Sequence, residues 1–242
     1  RNPGAVGVIN IGTAPGSAAT DAAGFVDASE IRFGAGAGTL NFNSVGPVMF
    51  TPALSSGGGG QHQLNHYAGA TQLQGDSSLF HGNTRVSGGS LQILNILGTA
   101  QGRIDAGMAP GATARVSVFN PGSTWALTDN LFVGGDGPGE LNIFNSGTVS
   151  NQFATVDAQW NDTASVAISD AGSRWVNREA LLVGAKGGRG AVSILAGGYV
   201  SSVDGVIGQT QNGNGSVLVT GRGSTWATPA SSGWAMSRAR AR

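Results

Sequence analysis

The chain has 242 residues, enough for a substantial core, yet only 11% are charged and 42 are glycine. Glycine costs roughly 1 kcal/mol per interior helix position relative to alanine, so this is not the composition of a helical protein, and 40% apolar residues are too many for a disordered one. Thirteen basic and thirteen acidic residues cancel, which argues against electrostatic capture of nucleic acid, and no apolar run approaches the roughly 20 residues of a membrane helix.

Up to about residue 98 the pattern is loose. Short β-prone runs at 7–11, 39–42, 70–73, 84–86 and 91–93 are separated by frequent glycines, including the four-glycine run 57–60. Turn signals this dense between short apolar-alternating runs predict an all-β architecture. Cysteine is absent. A stacked repeat tolerates that, because its core closes without staples, and a cysteine-free chain suits export through an oxidising periplasm. The segment starting at Arg1 shows no charged-plus-apolar signal region and no capping segment, so the expectation is an internal piece of a longer protein.

From about 99 to 230 the sequence repeats. Gly122-Ser123-Thr124-Trp125, Gly172-Ser173-Arg174-Trp175 and Gly223-Ser224-Thr225-Trp226 recur about 50 residues apart. Val116, Val166 and Val217 precede the tryptophans by nine residues, and Val118, Ile168 and Val219 precede them by seven. Val133-Gly134 and Val183-Gly184 follow the first two by eight and nine. A second alternating run comes after a glycine-rich turn, at 141–143 and 192–194. Side chains two apart on a strand share a face, so each repeat offers apolar faces at matching places to its neighbours. A solenoid turn of roughly 20–25 residues makes one repeat two turns. With turns stacked about 4.8 Å apart, successive tryptophans lie about 10 Å apart, too far to stack directly. Each is expected to pack over the corner of its own and adjacent turns.

Residues 231–242 break the pattern. Where the repeat requires Val-Gly the chain reads Trp234-Ala235, followed by alternating Ala and Arg to Arg242. Shifted by one base, codons for this stretch can encode Gly-Val-Gly-Tyr-Glu-Pro-Gly-Glu-Gly-Glu, close to the Val-Gly-x-x-x-Gly of the earlier repeats. A frameshifted or truncated gene is therefore one expectation; a genuine basic tail that binds something acidic is the other.

Two resemblances rest on these residues. Phe80, Gly82, Thr84, Val86, Gly88, Gly89, Leu91 and Ile93 form an ordered pattern that resembles the autotransporter-associated β-strand repeat, and 67–75 extends it upstream. The units ending in Trp125, Trp175 and Trp226 resemble the repeat shared by type V secretion passengers and other exported bacterial surface proteins. The resemblance covers roughly 31–93 and 104–230. It implies a right-handed parallel β-helix (solenoid), displayed on or released from the surface of a Gram-negative bacterium, in a fragment without that family's C-terminal membrane β-barrel.

Residues that could carry chemistry are few. His62 and His66, four apart, would share a face on a helix, but no helical pattern surrounds them; a solvated loop after the glycine run is expected instead of a metal pair. His81 reads as an exposed rung residue. Asp157 and Asp162 flank Trp160, an arrangement that fits either a local insertion in the repeat or carboxylates beside a sugar platform; insertion is preferred. Asp129, Asp136, Asp170 and Asp204 are expected in turns, where Asp bonds its own backbone. The glycine runs 134–139 and 184–190 lack the Gly-Lys-Ser/Thr ending and the following helix of a phosphate loop. Ser123 and its equivalents sit in no nucleophile elbow. No catalytic, cofactor-binding or metal residue is assigned, and Gly122, Ser123, Trp125, Gly172, Ser173, Trp175, Gly223, Ser224 and Trp226 are read as structural repeat positions.

The expected function, carried by the resemblance, is a non-enzymatic passenger stalk at the cell surface or secreted, exported through the periplasm and outer membrane. It would adhere to a host surface, a glycan or a sister-cell passenger. The alternatives are a purely structural spacer in a longer surface protein and a polysaccharide-active β-helix enzyme. Apolar rung edges at open solenoid ends add an expectation of self-association.

Overall fold

The computed structural model describes residues 4–108, 112–159, 162–185 and 187–228. Trp160, Lys186 and the off-pattern tail, on which some expectations above fall, lie outside these residues. Among the described residues there is no helix: 23 strands, every pair of them parallel, stack as a solenoid of about eight turns.

Each turn visits three faces. Face A stacks Val6–Gly12, residues 37–43 and 62–68, Asn83–Val86, Gly102–Ile104, Leu131–Val133, Ala154–Val156, Ala180–Val183 and Asp204–Ile207. Face B stacks residues 47–50 and 70–73, Gly89–Ile93, Ala114–Phe119, Glu140–Phe144, Ala164–Ser169, Arg189–Leu195 and Asn214–Thr220. Face C runs Ile96–Thr99, Thr124–Leu127, Thr148–Asn151, Arg174–Asn177, Tyr199–Ser201 and Thr225–Ala227. A two-stranded sheet, Glu30–Phe33 on Ala53–Ser56, precedes face C in the chain. Glu30–Phe33 alternates polar and apolar residues, whereas Ala53–Ser56 does not.

Alternation sets the inside. Val116, Leu141, Val166, Val192 and Val217 stand in one column, and Val118, Ile143, Ile168, Ile194 and Val219 in the next. Adjacent members are 25 or 26 residues apart, so one turn is half the sequence period. The first four of each column are buried. Burial of apolar side chains, at roughly 25 cal/mol per Å² removed from water, is what holds the stack closed.

Two turns differ within each repeat. On face C the column reads Leu97, Trp125, Val149, Trp175, Val200, Trp226. Seven residues separate Val118 from Trp125 and Ile168 from Trp175, but six separate Ile143 from Val149. The tryptophan turns therefore take a wider corner, with left-handed backbone at Asn120 and Gly122 (φ 87° and 91°) and at Asp170 and Gly172 (75° and 95°). The width admits an indole, and the indole points inward: Trp125 and Trp175 are fully buried.

That placement corrects the expectation of corner packing. Each ring reaches instead over the preceding turn, where face A supplies a small residue. The relevant column reads Gly102, Leu131, Ala154, Leu181, Gly205. A Cβ built on Gly102 would lie 2.6 Å from Trp125 Cζ2, and one on Gly205 would lie 2.4 Å from Trp226 Cζ2. Large and small alternate on both faces in opposite phase, so the lumen stays filled without strain.

The N-terminal turns are built differently. The strands Ala37–Phe50 and His62–Leu73 bend from face A to face B without interruption. Gly69 makes this bend with φ 83°, where a Cβ would sit 2.5 Å from Ser44 O. Phe33, Phe42, Phe50 and Phe80 fill the lumen here. The eight pattern positions from Phe80 to Ile93 follow the strand period, and all but Gly89, which is half-buried, are buried.

The histidine expectation is overturned. His62 and His66 lie on a strand, and period 2 puts residues four apart on the same strand face as surely as on a helix face. Both are inside the solenoid, 3% and 0% exposed. His62 stacks on Phe33 at 5.2 Å, with its ring nitrogens 2.9 Å from Ser56 Oγ and from Gly34 O. His66 lies 2.8 Å from Gly88 O and 3.1 Å from Thr71 Oγ1. Burial pushes the His66 pKa down to about 4, although the Gly88 carbonyl opposes the shift. His81 is exposed, as expected, but precedes the strand Asn83–Val86 instead of lying in it. Asp129, Asp136 and Asp170 are exposed between strands, whereas Asp204 opens the strand Asp204–Ile207.

Candidate functional site

The signature residues serve the stack. Each tryptophan Nε1–H donates to a buried polar atom on the preceding turn: Trp125 to Thr99 Oγ1 at 3.0 Å, Trp175 to Asn151 Oδ1 at 2.8 Å and Trp226 to Ser202 Oγ at 3.0 Å. A buried indole N–H left without an acceptor costs about 1–3 kcal/mol, so a polar residue inside an otherwise apolar lumen is required at every second turn. Asn151 also donates to Asn177 Oδ1 at 2.9 Å. Ser173 Oγ and Ser224 Oγ accept backbone N–H bonds from Ser146 and Gly197 of the preceding corner, each at 3.0 Å. Ser123 is buried at the equivalent place. A Cβ at Gly172 would come 2.6 Å from Ser146 Oγ. Gly122 and Gly223 share its left-handed backbone, φ 91° and 84°.

Chemical variety is concentrated on the outside of face A and the corner that follows it. The last inward column of face A is Ile104, Val133, Val156, Val183, Ile207. The next residue is alternately acid or glycine: Asp105, Gly134, Asp157, Gly184, then Gly208. Asp105 is 2% exposed. Its Oδ1 accepts from Gly107 N at 2.9 Å in its own loop and from Gly137 N at 3.0 Å in the loop of the next turn. Its Oδ2 takes the Arg103 guanidinium through Nε at 3.1 Å and through Nη2. Burial alone would raise its pKa; the amides of Gly107 and Gly137 and the Arg103 charge outweigh that and hold the carboxyl below the usual range.

Asp157 holds the matching place two turns on. It is 5% exposed, accepts from Gln159 Nε2 at 3.2 Å, and its Oδ1 would be 2.3 Å from a Cβ built on Gly188 in the next loop. Its position relative to that loop is the one Asp105 holds to Gly137. The Asp157 singled out beside Trp160 is therefore a buried carboxylate lying close against the next loop, and Trp160 is outside the described residues. Asp162 is half-buried on the same loop, its backbone N–H bonded to Gln159 O at 3.2 Å. Sequence reasoning missed Asp105, although the parallel runs Ile104-Asp105-Ala106 and Val156-Asp157-Ala158 carry the two-turn period.

Between these carboxylates lies a cleft of about 220 Å³ lined by Arg103, Phe132, Thr155, Asp157, Gln159, Asp136 and the backbone of 133–135. Arg103, Phe132 and Thr155 are consecutive members of one outward column. A Cβ at Gly135 would meet Arg103 Nη2 at 2.3 Å and Asp105 Oδ2 at 2.8 Å, so glycine there leaves the ion pair its room. Among the described residues no group of three or more His, Asp or Glu side chains is placed to hold a metal. Comparison with protein-family models, curated proteins and solved structures returns no match to this chain.

Proposed function

We propose that this chain is the stalk of a surface-displayed or secreted passenger protein, non-enzymatic, which adheres through its long outward faces to host surfaces, glycans or sister-cell copies. The observation that carries this reading is the outward side of the stack, where polar side chains repeat in register along the axis. On face C, Thr124, Thr148, Arg174, Tyr199 and Thr225 form one outward column of half-buried and exposed side chains, and on face B the half-buried Gln72 bonds Gln92 at 3.1 Å. Such rows offer many weak, equivalent contacts, which multivalency converts into avidity. Self-association is supported by the strand Val6–Gly12, which among the described residues pairs on one side only and exposes Val6 and Val8. Export across a Gram-negative envelope rests on the repeat resemblance.

Beads coated with the purified chain, beside albumin-coated beads, test the reading. Clustering of the beads or their attachment to cell monolayers is the expected result. Beads that do neither would leave a spacer role in its place.

A further inference from the structure

We infer that Asn212 is a site of covalent self-modification, its side-chain amide converted to a carboxylate through a cyclic imide formed with the backbone of Gly213. The chain contains two Asn-Gly pairs, Asn212-Gly213 and Asn214-Gly215, and both lie in the last described turn, where face A passes to face B. No other asparagine of the chain is followed by glycine. Glycine matters because it has no Cβ, so its nitrogen can approach the asparagine side chain unhindered.

The step balances with water as its only co-reactant. The Gly213 nitrogen gives up its proton to hydroxide and attacks Asn212 Cγ. A C–N bond forms, the bond from Cγ to Nδ2 breaks, and the departing nitrogen takes a proton from water and leaves as ammonia. Water then opens the five-membered imide at either carbonyl. Cleavage at the side-chain carbonyl gives aspartate; cleavage at the main-chain carbonyl gives isoaspartate, with the peptide running through the side chain. No electrons are transferred. One carboxylate replaces one neutral amide, and the formal net charge falls from zero by one.

The two pairs are alike in sequence and unlike in structure. Asn212 is exposed and belongs to no strand. It is the third residue of the turn 210–213, closed by one backbone bond from Gly213 N–H to Thr210 O at 3.0 Å. A Cβ on Gly213 would meet Gly184 O at 2.2 Å, so packing requires the glycine that makes Asn212 reactive. It also fixes which part moves: Gly213 stays on Gly184 while the exposed Asn212 turns its side chain onto the nitrogen, a local opening that a single turn bond permits.

Asn214 is exposed too, but it opens the strand Asn214–Thr220. Its N–H is bonded to Gly188 O at 2.9 Å, and the strand lies in register on Arg189–Leu195 along its whole length. An extended backbone holds the next nitrogen away from the side chain, so the imide closes at Asn214 only when the strand leaves its neighbour. The products differ in consequence as well. Isoaspartate adds a methylene to the main chain, which the turn 210–213 absorbs and a paired strand does not.

The test is incubation of the full chain at mildly alkaline and at mildly acidic pH. Mass spectrometry with fragmentation that separates the two asparagines then reads each site over time. The expected result is amide-to-acid conversion at Asn212, faster at alkaline pH, with isoaspartate among the products and an unchanged melting curve. Conversion at Asn214 should be about tenfold slower in the folded chain, and the two rates should converge in urea, where the strand is gone. Asn212→Gln, whose longer side chain would need a larger ring, should remove the fast phase, and Asn214→Gln should leave it intact. Equal rates at the two sites in the folded chain, conversion confined to Asn214, or an Asn212 that converts only in urea would each overturn the assignment.

Discussion

The turns up to about residue 98 and those from Ala114 onward enclose the same kind of lumen by different means. In the first, phenylalanines and two histidines fill the interior and long strands bend through glycine from face A to face B. In the second, strands are short, loops separate those faces, and one tryptophan every second turn spans two layers. The difference shows that a solenoid does not need identical turns. It needs each pair of neighbouring turns to sum to the same filled cross-section, and a 50-residue period is how a chain writes a pair of unlike turns.

The largest expected effect comes from removing the element that spans two layers. Trp175→Ala deletes a fully buried indole and leaves Asn151 without its donor, so it should cost about 3–5 kcal/mol in urea unfolding. Val166→Ala, one layer deep, should cost distinctly less. Equal losses would mean that the tryptophan turns are not special.

The histidine-filled half should respond to acid. The His66 pKa is pushed down to about 4 from an ordinary 6.5, so the unfolded chain takes up the proton first as pH falls. Stability is unaffected above pH 6.5, declines between 6.5 and 4, and at lower pH stands about 3 kcal/mol below its neutral value from this group. His66→Gln should flatten that decline while lowering stability at neutral pH. Asp105, held below the usual carboxylate range, keeps its contribution above the ordinary carboxylate pKa and loses it as pH drops further through the folded-state value. An unchanged slope in His66→Gln would remove the buried histidine from the account.

Gly102→Ala sharpens the comparison at the level of one methyl group. The added Cβ meets Trp125 at 2.6 Å and Leu127 at 2.8 Å, an overpacking worth about 1–3 kcal/mol. In a Trp125→Leu background the same change should cost less, the Leu127 contact alone remaining, and a double-mutant cycle reads the difference as the coupling between neighbouring turns. Additive effects would show that the small residue and the indole are not partners.

How much of this was legible in the sequence follows from what repeats. Strand columns, turn length and the two-turn period could be read because valine, isoleucine and glycine recur at fixed offsets. The inward path of the tryptophans could not, because the compensating glycine or alanine lies on another face, 21–23 residues upstream of Trp125, Trp175 and Trp226. The buried histidines were hidden by the glycine run before them and by reading a spacing of four as helical only. At the candidate cleft, Arg103, Phe132 and Thr155 are far apart in sequence and differ in type, so only the register of three stacked strands brings them together.

The smallest effect concerns the outward side. Arg115 Nη2 lies 2.7 Å from Glu140 Oε2 on face B, and both side chains are at least one-third exposed. Water and salt screen such a pair, so Arg115→Gln should change stability by about 0–1 kcal/mol. That near-silence would separate the two sides of every strand: the inward residues hold the stack, and the outward ones are free to vary. A larger loss in Arg115→Gln would show that the outer rows also hold neighbouring turns in register, and the surface could then not be redesigned for a ligand without loosening the stack.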